Sequence, residues 1–208
     1  QVSAGLAALP PAFGGLDIPE SGYEALYQWA SGTGLPEFGF PAFAPPGLGG
    51  GGFRPAAPAL IGHITDARSH VKADYASVLP NAHGRDEAVA ALNAIGARVI
   101  GVDSLENVGT EFDPRAQLED LAIATRAVIP PDTGSGQCFM GVDGAPIAPI
   151  DVAGEPSCPV VFDVLPDGSG LGSLIVDAVV QLATLGVLDI STRPIGQAQG
   201  LGGEVLPP

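Results

Sequence analysis

A chain of 208 residues with 46% hydrophobic side chains allows one large domain or two small ones, with ample chain for a sizeable core. Its net charge of −15, with only 8 basic residues and Lys72 as the one lysine, argues against binding to phosphate backbones or anionic headgroups and favours divalent cations or basic partners. No apolar run reaches the length of a membrane span, no basic-then-apolar signal segment is present, and a start at Gln1 points to a processed product or a fragment.

The 30 glycines and 21 prolines cluster, which predicts a globular body with long loops. Val2 to Leu9 has the spacing of a short helix stopped by Pro10-Pro11. A turn-rich stretch, Gly14 to Gly22, then carries Asp17 and Glu20 around Pro19. Tyr23, Leu26, Tyr27 and Ala30 recur at helical spacing, so Glu20 stands at the mouth of a helix running to about Ser31. An acid there serves ordinarily as a dipole or capping device. From Gly32 to Ala57 no periodicity survives; this is a long loop in which Phe38, Phe40, Phe43 and Phe53 either pin the chain to the body or face a partner, pinning being the preferred reading.

Pro58 to His70 organises the rest. Its first half reads as a short buried strand and its second half opens on Thr65-Asp66, a carboxylate at a strand's carboxyl end. Open parallel sheets place ligands in the crevice beyond those ends, so Asp66 is a candidate ligand for a cation or substrate; the alternative is a cap on the following turn. Asp86 to Ile95 is an amphipathic helix ended by Gly96, and it leads into a second strand, Arg98 to Asp103. Asp113-Pro114 starts another helix, with Asp113 as its N-cap. Further strands are expected at Ala127–Ile129, Val160–Val164 and Val187–Ile190. Leu171 to Leu185 carries the clearest helical stripe.

Cys138 and Cys158 lie in one turn-rich segment without zinc-ligand spacing or a nucleophile signature. A disulfide closing that loop contributes about 3 kcal/mol and points to an oxidising compartment. The alternation of helices and apolar strands predicts an α/β fold: an open, mainly parallel, doubly wound sheet with helices on both faces. No phosphate loop or dinucleotide fingerprint follows any strand.

At these residues the chain resembles the von Willebrand factor A-type domain, most closely the I-like domain of integrin β subunits. Thr65-Asp66-Ala67-Arg68-Ser69-His70 is similar to that family's Thr-Asp-Ala-Lys-Thr-His, whose Asp belongs to the metal-ion-dependent adhesion site. Asp17-Ile18-Pro19-Glu20-Ser21-Gly22-Tyr23-Glu24-Ala25 is similar to Asp-Ala-Pro-Glu-Gly-Gly-Phe-Asp-Ala, in which the Asp, the Pro carbonyl and the Glu hold a neighbouring calcium. Gly52-Phe53-Arg54 resembles a Gly-Trp-Arg, and Leu174 to Ala178 resembles the family's last helix. The resemblance implies a partial A-like domain over residues 1–192, with a Gly/Pro/Phe-rich loop at 35–57, a Cys-bearing loop insertion at 130–159 and a Gly/Pro-rich tail at 193–208. It also implies Ca²⁺ or Mg²⁺ held by Asp66, Glu20, Asp17 and the Pro19 carbonyl, since hard cations take mixed carboxylate and carbonyl shells.

The family's Asp-x-Ser-x-Ser motif and its first strands are absent, so the central strand of the sheet is not in this chain. A sheet without its centre leaves backbone unpaired, which calls for an upstream segment or a partner chain to supply the strands. The function expected is a cation-dependent adhesion or assembly module, extracellular or at the cell surface, that binds a protein ligand through an acidic residue. The alternative is a structural subunit of a surface filament or complex with an incomplete or idle metal site. Enzymatic activity is not expected: a metal-assisted hydrolase has least support, because none of His63, His70 or His83 has a general-base or nucleophile context in the sequence.

Overall fold

The mostly apolar run from Ala59 onward forms strand β1 (Ala59–Thr65), but in place of the expected buried strand only Ala59 is buried, while Gly62 and Ile64 are exposed, because β1 lies at a sheet edge. In the computed structural model, which describes residues 17–167 apart from 78, together with 169, 176, 180 and 182, β1 pairs in parallel along its whole length with β2 (Ala97–Asp103). A third parallel strand, β8 (Val161–Asp163), flanks β2 on its other side. Among the described residues the order is therefore β1-β2-β8, with β1 at an edge. The expected parallel α/β sheet is present as three strands.

Strand side chains alternate, so register partners share a face. Ala59 lies beside Ala97, and Ile61 beside Val99. This face meets helices α1 (Gly22–Ser31) and α2 (Arg85–Ala94), whose inner residues Tyr23, Leu26, Ala30, Ala88 and Leu92 form one core with Val99 and with Leu121 of α3 (Arg115–Ala124). Their spacing of three and four residues is the inner stripe that a helix lays on a sheet. Gly101 admits α3 closely, since a Cβ there would lie 3.0 Å from Leu118 Cβ. Ile100 and Phe162 join a second core with Met140, Val160 and Leu182.

Helix limits follow local chemistry. The Glu87 carboxylate accepts the Gly84 amide before α2, and Gly96 follows the helix at φ 66°. Arg85 reaches from α2 to Asp120 of α3 with two hydrogen bonds, 2.6 and 2.8 Å. Helix α3 begins one residue beyond the expected Pro114, yet Asp113 still acts as an end cap by accepting the Arg115 amide at 2.9 Å.

Two expectations need correction. Residues 130–159 are a small β layer and not a loop: β3 (Val128–Ile129) and β6 (Ile150–Val152) flank β7 (Glu155–Pro159) antiparallel, and β4 (Cys138–Phe139) pairs with β5 (Pro146–Ile147). Strands of two to five residues are too short to show a period, and turns rich in Gly and Pro conceal them. The disulfide Cys138–Cys158 is formed and ties β4 to β7, with the Cα atoms 5.7 Å apart.

The second correction concerns the phenylalanines of 32–57. Phe53 alone of the four packs against the core, whereas Phe40 and Phe43 are each 64% exposed. The loop is held by backbone instead: Phe43 N–H donates to Gly32 O and Gly51 N–H to Trp29 O, both at 2.8 Å. Gly32 makes this possible, because it ends α1 at φ 68° with Phe43 O against the place where a Cβ would stand.

The expected helix at 2–9, the strand at 187–190 and the tail lie outside the described residues. So does most of the last helix, of which Val176, Val180 and Leu182 are described and helical. Among the described residues no helix is long and apolar enough to cross a membrane.

Candidate functional site

The carboxyl ends of β1, β2 and β8 form one rim, because the register places Thr65 beside Asp103 and Asp103 beside Asp163. Asp66 follows directly on β1. Its half-buried side chain accepts no hydrogen bond among the described residues, while its carbonyl accepts Asn107 Nδ2 at 2.8 Å. Thr65 sets the turn: its hydroxyl donates to Ala67 O at 2.7 Å and accepts the Ala67 amide at 3.2 Å.

The 66–70 loop is clamped from both sides. Gln117 at the start of α3 accepts the Ser69 amide at 2.6 Å and donates to Ser69 O at 3.2 Å. From the other side, Glu20 N–H donates to Arg68 O at 2.9 Å and His70 N–H to Glu20 O at 2.8 Å. The two sequence motifs, 17–20 and 65–70, are thus bridged backbone to backbone. Their side chains take separate partners. Asp17 Oδ2 lies 3.1 Å from His70 Nε2, the other ring nitrogen of His70 faces Asp74 at 3.3 Å, and Glu20 is exposed. The Val71 amide, ahead of His70, holds the Asp74 carboxyl below its ordinary value.

Sequence reading passed over the acids of the other two strands. Asp103 is 1% exposed. Burial pushes its carboxyl above the ordinary 3.8; the Leu105 amide at 2.9 Å opposes this, and the charges of Asp113 and Asp163 add to it. Burial likewise raises Asp163, against the lowering effect of Arg115, which pairs with it and also bonds Glu119 at 2.6 Å. Beside this rim the buried Arg68 Nε and Ser104 Oγ lack hydrogen-bond partners among the described residues. The only sequence signal for the cluster was two apolar runs each ending in Asp.

Ca²⁺ takes roughly six to eight oxygen ligands and Mg²⁺ six. Among the described residues no group of three or more His, Cys, Asp or Glu side chains could hold a metal ion. Asp66 offers an open carboxylate, but by themselves the donors present do not fit a hard cation.

A second region was not foreseen. Glu24 of α1, only 6% exposed, accepts the His83 amide at 2.5 Å, faces His83 Nδ1 at 3.0 Å and accepts Gln28 Nε2 at 2.7 Å. Fifty-nine residues separate this pair in sequence. His63 packs with Ser69 against Gly22 at the start of α1, and burial pushes its imidazole below the ordinary 6.5.

No protein-family model, curated protein or solved structure matches the chain.

Proposed function

We propose that the chain is an assembly module, extracellular or at the cell surface, whose doubly wound sheet is completed across β1 by a strand from an upstream segment or a partner chain. The observation that carries this reading is the outer edge of β1. Among the described residues it has no ladder partner. Parallel strands are ordinarily covered and paired on both sides, and an open edge is a template for strand addition. The disulfide fits an oxidising compartment, and the likeness of the 17–25 and 65–70 motifs to A-type domains fits the same reading.

In this reading Ca²⁺ or Mg²⁺ is a ligand of the completed sheet only. Asp66 supplies one donor, the incoming strand and its loop supply others, and a partner's acidic residue completes the shell. A second reading, a structural subunit with an idle metal site, is favoured by the dispersed Asp17, Glu20 and Asp66 side chains.

Hydrogen exchange on the isolated chain and on the protein as purified from its native source tests the proposal. Protection of β1 amides in the native material and fast exchange in the isolated chain is expected; equal exchange in both overturns strand completion. Chelation or Asp66→Ala should disperse the assembly under the first reading, whereas an assembly indifferent to both favours the second.

A further inference from the structure

Between α1 and the 80–83 segment lies an open-sided cavity of about 540 Å³, with Thr33, Glu37, Lys72 and Asn81 of its wall exposed, and the half-buried His83 lines it. Three contacts fix the His83 ring. The Glu24 carboxylate faces Nδ1 at 3.0 Å, the same carboxylate holds the His83 amide, and the Tyr27 ring stacks on the imidazole with centroids 3.4 Å apart and planes 9° from parallel. A carboxylate on one ring nitrogen keeps the proton there and leaves the other nitrogen as an acceptor. Nε2 has no hydrogen-bond partner among the described residues.

The charge around the cavity selects the ligand class. Lys72 is already paired with Glu87, and His83 faces the Glu24 carboxylate, so the wall holds no unpaired lysine or arginine to draw an anion. Glu37 is met by the neutral Asn81 amide at 3.1 Å. The remaining polar groups on the wall are the Tyr27 and Thr33 hydroxyls, beside the apolar rings of Pro36 and Pro80. Acceptors and hydroxyls beside small apolar surfaces suit a molecule that donates and accepts through its own hydroxyls and lays C–H groups on proline.

We propose that this cavity binds a small, neutral, hydroxyl-rich ligand, with His83 Nε2 accepting from one of its hydroxyls. The probes are glycerol, methyl α-glucoside and methyl β-galactoside, titrated into isotope-labelled protein while the imidazole resonances are followed. At least one should shift His83 saturably, with about tenfold weaker binding in His83→Gln or Tyr27→Phe, the loss of one hydrogen bond. Far-UV melting confirms that each variant is folded, and Tyr27→Phe keeps the stacking surface should His83→Gln fail. In the wild type, ring nitrogen shifts should report the proton on Nδ1. No saturable shift with any of the three, a response to sodium acetate alone, or binding unchanged in both variants overturns the proposal.

Discussion

Asp103 and Asp163 stand side by side in register at the carboxyl ends of adjacent parallel strands, and Arg115 at the start of α3 is ion-paired with Asp163. Two largely buried carboxylates with one guanidinium between strand and helix form an unbalanced group. Arg115→Met should therefore lower stability by roughly 2 kcal/mol, less than a fully buried pair because the group keeps some contact with water. Adding Asp163→Asn should restore part of the loss. Urea unfolding of the single and double variants measures both effects, and an unaffected single variant would show that the pair carries no weight.

Asp103→Asn should have the opposite sign. The folded carboxyl is raised above 3.8, mainly by burial, so the folded state binds its proton more tightly and wild-type stability gains as pH falls through the raised value toward 3.8. At neutral pH the charge is a cost, and the amide relieves it while its oxygen still accepts the Leu105 amide. The variant should be more stable than wild type at pH 7 and equal to it near pH 3. A variant less stable at pH 7 contradicts this account.

His63 governs a different window. Its folded value lies below 6.5 because burial disfavours the imidazolium, so between the two values the unfolded chain binds more protons and stability falls with acidification. Melting temperature should drop as pH is lowered from 6.5, and His63→Gln should flatten that slope. An unchanged slope in the variant would assign the effect to another group.

Cys138 and Cys158 join two small sheets across a separation of 20 residues. Replacing both by serine, or reducing the bond, should lower stability by about 3 kcal/mol, mainly by freeing the unfolded chain. Denaturant midpoints of oxidised, reduced and double-serine protein should order accordingly.

Gly32→Ala should cost roughly 2 kcal/mol, from a left-handed φ and from the Phe43 carbonyl standing where the methyl would go. The loss should be accompanied by a change in Trp29 emission, since Trp29 lies against the same loop with Phe53 at 6.3 Å. Emission indistinguishable from wild type would mean that the loop stays docked without this glycine.

Much of the local structure was legible in the sequence. The helical stripe from Tyr23 to Ala30, the apolar runs ending at Thr65 and Asp103, and the Asp113 cap each rest on neighbours within one or two turns, where a residue's effect on its own backbone dominates. Asp66 at a strand end and Glu20 at a helix mouth could be read the same way. The pairing of the two cysteines needed only their number and their segment.

What the tertiary structure alone decided lies between residues far apart. It placed Glu20 against Arg68, turned His70 between Asp17 and Asp74, and set Asp103 beside Asp163. It brought the Glu24 carboxylate onto His83 and made paired strands of the Gly/Pro-rich turns between 130 and 159. Periodicity reports which face of an element is apolar, not which element covers it. A carboxylate's partner depends on that covering, because burial and a neighbour's charge act through space, and they set whether an acid is an exposed cap or a buried member of a site.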